Sequence, residues 1–183
     1  MNTDKSVFLL IDVQKGLDHS TYYGDARSNP GAEKNMQLLL NNWRERKWPV
    51  IHIKHNSENP DSPLFPGKEG NEIKDEVKPL QHELIFEKKV NSAFIGTGLE
   101  DELKSLGIGS LVLAVLTVEH CVSSTARMAS DLGFEVTVVA DATAAFTKVN
   151  AAGKIFNADD VHEISLAALE NEFARILNTD QIS

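Results

Sequence analysis

Residues 111–116 (LVLAVL) are consecutive apolar side chains with no polar alternation. A strand with one wet face alternates with a period of two. A strand without a polar face has to be covered on both sides, as in a parallel sheet between two helical layers. Residues 7–11 (VFLLI) read the same way. Residues 50–54 (VIHIK), 84–87 (LIFE) and 134–140 (FEVTVVA) supply further strands, and 174–177 a short sixth. Helical spacing lies between them. Pro30 suits a first helical turn, and Ala32, Met36, Leu39, Leu40 and Trp43 share one face of a helix ending near Lys47. Thr97 and Glu100 have capping-box spacing, with Leu99, Leu103 and Leu106 facing inward up to Gly107. A helix from Cys121 runs to Leu132, with Gly133 as its stop. Residues 144–155 read as weakly helical and broken at Gly153. A last helix starts at Asp159 or Asp160, with Val161, Ile164, Ala168, Leu169 and Phe173 at helical spacing. Alternating strands and helices predict an α/β fold with a mostly parallel sheet and right-handed crossovers.

The chain has 183 residues, enough for one domain spanning 1–183. Its 18 Lys and Arg against 27 Asp and Glu give a net charge of −9. Such a surface repels phosphate backbones and anionic lipids, so neither nucleic acid nor a membrane is the expected partner. The apolar run before Asp12 is too short for a signal sequence or a span. A lone cysteine forms no internal disulfide, which predicts a reducing, cytoplasmic setting. There is no G-x-G-x-x-G after the first strand and no G-x-x-x-x-G-K-[ST], so neither a dinucleotide nor a P-loop nucleotide is expected as cofactor.

That cysteine, Cys121, lies where the strand at 111–116 turns into a helix. The unpaired N–H groups and dipole of a helix N-terminus bring a thiol's pKa down toward neutrality and favour the thiolate. The competing reading is a small buried hydrophobe. Asp12 ends the first strand, and open α/β sheets place ligand chemistry at such ends; it also suits a turn cap. Lys88 and Lys89 end the third strand and read equally as a solvated pair. His52 and His55 are three apart in a strand and point to opposite faces, so they cannot share a metal ion. His55, at the strand end, is the better pocket candidate. Residues 56–82 carry four prolines, and long irregular excursions of this kind tend to be functional.

Taken together these segments resemble the isochorismatase-like cysteine hydrolases, a family that includes nicotinamidases and N-carbamoylsarcosine amidases. The likeness rests on Asp12 in LLIDVQ, on Lys88 to Phe94 in KKVNSAF, and on the run from Thr117 to Arg127 (TVEHCVSSTAR). The K-x-x-x-S-A-F spacing selects Lys88 over Lys89. VVADATAAF also matches the family's fifth strand and loop. The resemblance implies a three-layer sandwich around a six-stranded, Rossmann-like sheet. It implies an Asp12–Lys88–Cys121 triad, a cis peptide at Leu116–Thr117, and an oxyanion hole from the backbone N–H groups of Thr117 and Cys121. It further implies a homodimer or homotetramer acting on a small molecule. Val115 stands where many relatives carry glycine, and Leu17 where phenylalanine is common. The Asp-x-His zinc pattern of some relatives is missing, and no metal is expected.

The expected chemistry is hydrolysis of a small non-peptide amide through a Cys121 thioester, with Asp12 as proton carrier and Lys88 as cation. Gln14, Leu17, Tyr22, His55, Phe94 and Phe146 are candidate pocket residues; Phe94 and Phe146 read equally as core. Successive helical residues do not face each other, which removes His120 as a base for Cys121. The alternatives are cleavage of an isochorismate-type enol ether, or a non-catalytic or redox-sensing role on the same fold.

Overall fold

The computed structural model describes residues 6–18 and 20–182. Strand β1 (Ser6–Ile11) is buried at every position, as an apolar run without alternation requires. The short helix α1 (Ser20–Tyr23) and longer α2 (Ala32–Glu45) follow, then strands β2 (Val50–His55) and β3 (Leu84–Lys88). Helix α3 (Leu99–Ser105) leads to strand β4 (Ser110–Leu116). A π-helical turn (Val118–Val122) runs directly into helix α4 (Ser123–Asp131). Strand β5 (Glu135–Ala144), a hairpin of β6 (Lys148–Val149) and β7 (Ile155–Phe156), helix α5 (Ala158–Ala167) and strand β8 (Arg175–Leu177) complete the order.

Six strands form one sheet in the order β3-β2-β1-β4-β5-β8, and every pairing is parallel. Alternate residues of β1 enter opposite cores. Phe8 and Leu10 pack with Met36, Leu39, Leu40 and Trp43 of α2. Val7, Leu9 and Ile11 pack with Leu99 and Leu103 of α3, Ala126 and Ala129 of α4 and Leu166 of α5. The result is the expected three-layer sandwich. After β1 the chain moves outward through β2 and β3, then returns to place β4 on the other flank of β1. Such a reversal opens a crevice at the carboxyl ends of the two central strands, where open α/β sheets bind ligands. Among the described residues no helix is long and apolar enough to cross a membrane.

Local details depart from the sequence reading in five places. The capping box does not form. Gly98, at φ 73°, holds the N-cap position of α3, while the Thr97 hydroxyl donates to the Ala93 carbonyl and accepts from Leu99 N–H. Leu106 lies just past α3 and is 52% exposed. On α5, Ile164 is 68% exposed while Leu166 is buried, so the helix is rotated from the expected face. Residues 148–156 form a β-hairpin instead of a broken helix: the Asn150 side chain accepts from Ala152 and Lys154 N–H, and Gly153 takes φ 78°. Strand β5 continues through Asp141 with a register shift between Leu113 and Val115 of its neighbour.

Candidate active site

Strand ends bring three residues together. Asp12 follows β1 with φ 55°, a left-handed conformation that aspartate tolerates better than most side chains. Its N–H donates to Ile53 and its carbonyl accepts from Gln14. Lys88 ends β3 in register with His55 at the end of β2. Cys121 lies in the π-helical turn after β4, behind the cis peptide bond between Leu116 and Thr117. Val115, the residue in place of glycine, is fully buried within β4.

The Lys88 Nζ donates to Asp12 Oδ2 at 2.7 Å and reaches Cys121 Sγ at 3.3 Å. Neither charged side chain is more than 3% exposed. Two charges withdrawn from water in this way require each other. Asp12 Oδ1 is buried without a conventional hydrogen-bond partner. Lys89, by contrast, is exposed and pairs with Glu58 on the surface. The K-x-x-x-S-A-F spacing therefore picks the lysine that the structure buries.

The thiol does not behave as the helix N-terminus alone suggested. Burial pushes Cys121 well above its usual range, the Asp12 carboxylate pushes in the same direction, and Lys88 opposes both. Together these influences favour the thiol over the thiolate.

Asp12, Thr117 and Cys121 open onto a cavity of about 200 Å³. Leu17, Tyr22 and His55 line it as expected. Three other candidates lie elsewhere. Gln14 is fully buried and bonds the backbone: its Nε2 donates to the His55 and Asn71 carbonyls at 3.0 and 2.9 Å, and its Oε1 accepts from His55 N–H at 2.8 Å. Phe94 packs on Phe134 with ring centroids 5.8 Å apart. Phe146 is buried behind Tyr23, 5.6 Å between rings, and it is Tyr23 that reaches the cavity. Burial pushes the Tyr23 hydroxyl up to about 12, a rise that its hydrogen bond to Ser62 partly offsets.

Sequence reasoning missed Ser57, Ser62, Leu64 and Asn91 on the cavity wall. The first three belong to the proline-rich excursion, whose length was the one available signal. Asn91 lies inside the lysine motif, and its Oδ1 is 3.8 Å from Cys121 Sγ. His120 also lines the cavity. His52 is buried on the other face from His55 and bonds Glu83 at 2.9 Å.

Comparison with known proteins follows the same outline. The Isochorismatase domain family matches residues 6–181. The uncharacterized isochorismatase family protein YrdC of Bacillus subtilis is 45% identical, over 98% of this chain and 95% of its own. Nicotinamidase 3 of Arabidopsis thaliana is 24% identical, over 99% of this chain and 88% of its own. An isochorismatase-family crystal structure from Chromobacterium violaceum superposes with a TM-score of 0.95 at 41% identity, covering 100% of this chain and 93% of that one. The buried Asp12–Lys88–Cys121 cluster thus sits in a chain that belongs to the isochorismatase family of hydrolases.

Proposed function

We propose that the protein hydrolyses a small, uncharged amide through a thioester on Cys121. The observation that carries this reading is the position of Lys88 Nζ, buried between Asp12 Oδ2 at 2.7 Å and Cys121 Sγ at 3.3 Å, two residues that line a cavity. Asp12 takes the thiol proton as Sγ attacks the amide carbonyl carbon. Lys88 stabilises the negative charge as it moves from carboxylate to sulfur. The backbone N–H groups of Thr117 and Cys121 hold the oxyanion, at ~3 kcal/mol per donor. Collapse breaks the C–N bond, and the proton on Asp12 leaves with the amine. Asp12 then deprotonates a water, which attacks the thioester. The carboxylic product departs, and the proton returns to Cys121.

The lining supports a neutral substrate. Among the described residues around the cavity, the one fixed charge is Asp12, and Lys88 already matches it. Burial keeps both His55 and His120 below their ordinary pKa, so both are neutral at pH 7. A dianionic enol ether of the isochorismate type would meet no free cation among the described lining residues to receive its carboxylates, a costly desolvation. Leu17, Leu64, Tyr22 and Tyr23 offer an apolar wall suited to a compact or flat body.

The test is ammonia or amine release across a panel of small neutral and anionic amides. Wild type turns over a neutral member; Cys121→Ala loses that turnover while keeping a native melting profile, and Asp12→Asn loses it at temperatures where its lowered melting transition still leaves it folded. Full turnover by Cys121→Ala would exclude the thioester route.

A further inference from the structure

The Lys88 ammonium has four acceptors and only three protons. Around Nζ lie Asp12 Oδ2 at 2.7 Å, the Val90 carbonyl at 3.1 Å, His55 Nδ1 at 3.2 Å and Cys121 Sγ at 3.3 Å. The side chain is fully buried, so water does not make up the count. A lysine offers three N–H donors and no acceptor. Two of the four acceptors, Val90 O and His55 Nδ1, keep the same charge throughout the proposed reaction. The other two, Asp12 and Cys121, exchange one proton and hence one negative charge.

We propose that His55 is a positioning residue for Lys88: through an unprotonated Nδ1, it and the Val90 carbonyl hold two of the ammonium protons, leaving the third to follow negative charge between Asp12 and Cys121. This inference rests on the reading of Lys88 as the cation of the Cys121 site. It requires the neutral imidazole with its proton on Nε2, because a proton on Nδ1 would face the ammonium donor to donor.

The surroundings enforce that state. The ionisable groups acting on His55 are Lys88 and Asp12; burial and the Lys88 charge hold its pKa below the ordinary value, while Asp12 and the Val90 carbonyl, which the ring shares with Lys88, pull the other way. The backbone that carries the ring is also fixed. The His55 N–H donates to Gln14 Oε1 at 2.8 Å, and its carbonyl accepts from Gln14 Nε2 and Asn71 Nδ2, both at 3.0 Å. The glutamine of the Asp12-x-Gln14 motif therefore acts on the site at one remove. It clamps the end of β2 so that the imidazole meets Lys88.

Two measurements decide the matter. The first is the histidine ¹⁵N spectrum of the full protein across pH 5 to 8. His55 is expected to be neutral with its proton on Nε2 at pH 7, and to titrate below its ordinary value of about 6.5. A proton on Nδ1, or a charged ring at pH 7, would overturn the proposal. The second is stopped-flow acylation of Cys121 by p-nitrophenyl acetate. His55→Leu is expected to slow acylation about tenfold with unchanged saturation behaviour. His55→Asn keeps an acceptor at the δ position and is expected to stay within about threefold of wild type. Thermal melts confirm that both variants fold. Wild-type rates in His55→Leu, or an Asn variant as slow as Leu, overturn the positioning role. Neither measurement depends on the natural substrate. If no amide is ever turned over while both results hold, the functional reading falls and the role of His55 at Lys88 stands.

Discussion

Replacing Lys88 by methionine keeps most of the side-chain volume and removes the charge. It leaves Asp12, 3% exposed at its side chain, as a carboxylate with no cation. Breaking a buried pair from one side costs ~3–5 kcal/mol. Val90 O and His55 Nδ1 lose a donor at the same time, and each such loss is worth about 1 kcal/mol when not replaced. These costs overlap, because Asp12 relieves part of its penalty by taking up a proton, so the expected loss is about 4 kcal/mol. In a chain of this size that lowers the melting temperature by about 10 °C. Urea denaturation at pH 7.5 measures it. Asp12→Asn should also destabilise, because it strands the ammonium. The double variant carries neither orphan charge and should lose clearly less than the sum of the singles, with a coupling of about 2 kcal/mol or more. If Lys88→Met is as stable as wild type, or the singles simply add, the buried pair is not the linked unit described here.

Three further outcomes follow from other parts of the structure. A Cβ at Gly70 would sit 2.5 Å from the Pro63 carbonyl oxygen and 3.0 Å from Gly16 Cα, so Gly70→Ala should push the loop carrying Leu64 off the cavity, costing ~1–3 kcal/mol in denaturation. Gln14→Leu strands the buried His55 N–H and removes the Gln14 donor from the His55 and Asn71 carbonyls, leaving the first to Asn71 Nδ2 alone, and should cost about 2–4 kcal/mol by the same assay. Acid should act in two stages, read as melting temperature against pH. Burial holds His52, His55 and His162 below 6.5, so the unfolded chain takes up their protons first and stability falls as pH drops below that value. Glu33 and Glu83 are lowered from 4.5 to about 2, because their bonds to Arg27 and Lys74, and to Arg44, outweigh burial. Their contribution is complete above 4.5 and is lost as pH falls toward 2.

The sheet and the meeting of Asp12, Lys88 and Cys121 were legible in the sequence for a physical reason: both depend on strong, local patterns. Unalternating runs such as 7–11 and 111–116 admit only doubly covered strands, and the ends of parallel strands converge by geometry. What the sequence did not show depends on packing between distant segments. Phe94 and Phe146 have the composition of pocket walls, and whether they face ligand or core is decided by Phe134 and Tyr23. Gln14 looked like a pocket residue because it neighbours Asp12; its amide instead spans to β2, 41 positions away. Residues 144–155 are rich in alanine, and one Asn side chain with one left-handed glycine outweighs that helical preference. Ile164 and Leu106 were assigned inward by spacing alone, a rule that cannot give the rotation of a short helix when other apolar positions can take its place.

The direction of the Cys121 shift belongs with these. The helix N-terminus and the neighbouring Asp12 were visible in sequence, but the depth of burial was not, and it dominates. The account therefore makes the thiol dependent on Asp12 for activation and makes the acyl-enzyme its defining intermediate. Intact mass spectrometry of protein quenched in acid during turnover of a neutral amide tests this most directly. The account predicts a mass gain equal to the acyl group, located on Cys121 and missing in Cys121→Ala. Steady turnover with no adduct, or an adduct on any other residue, would contradict it.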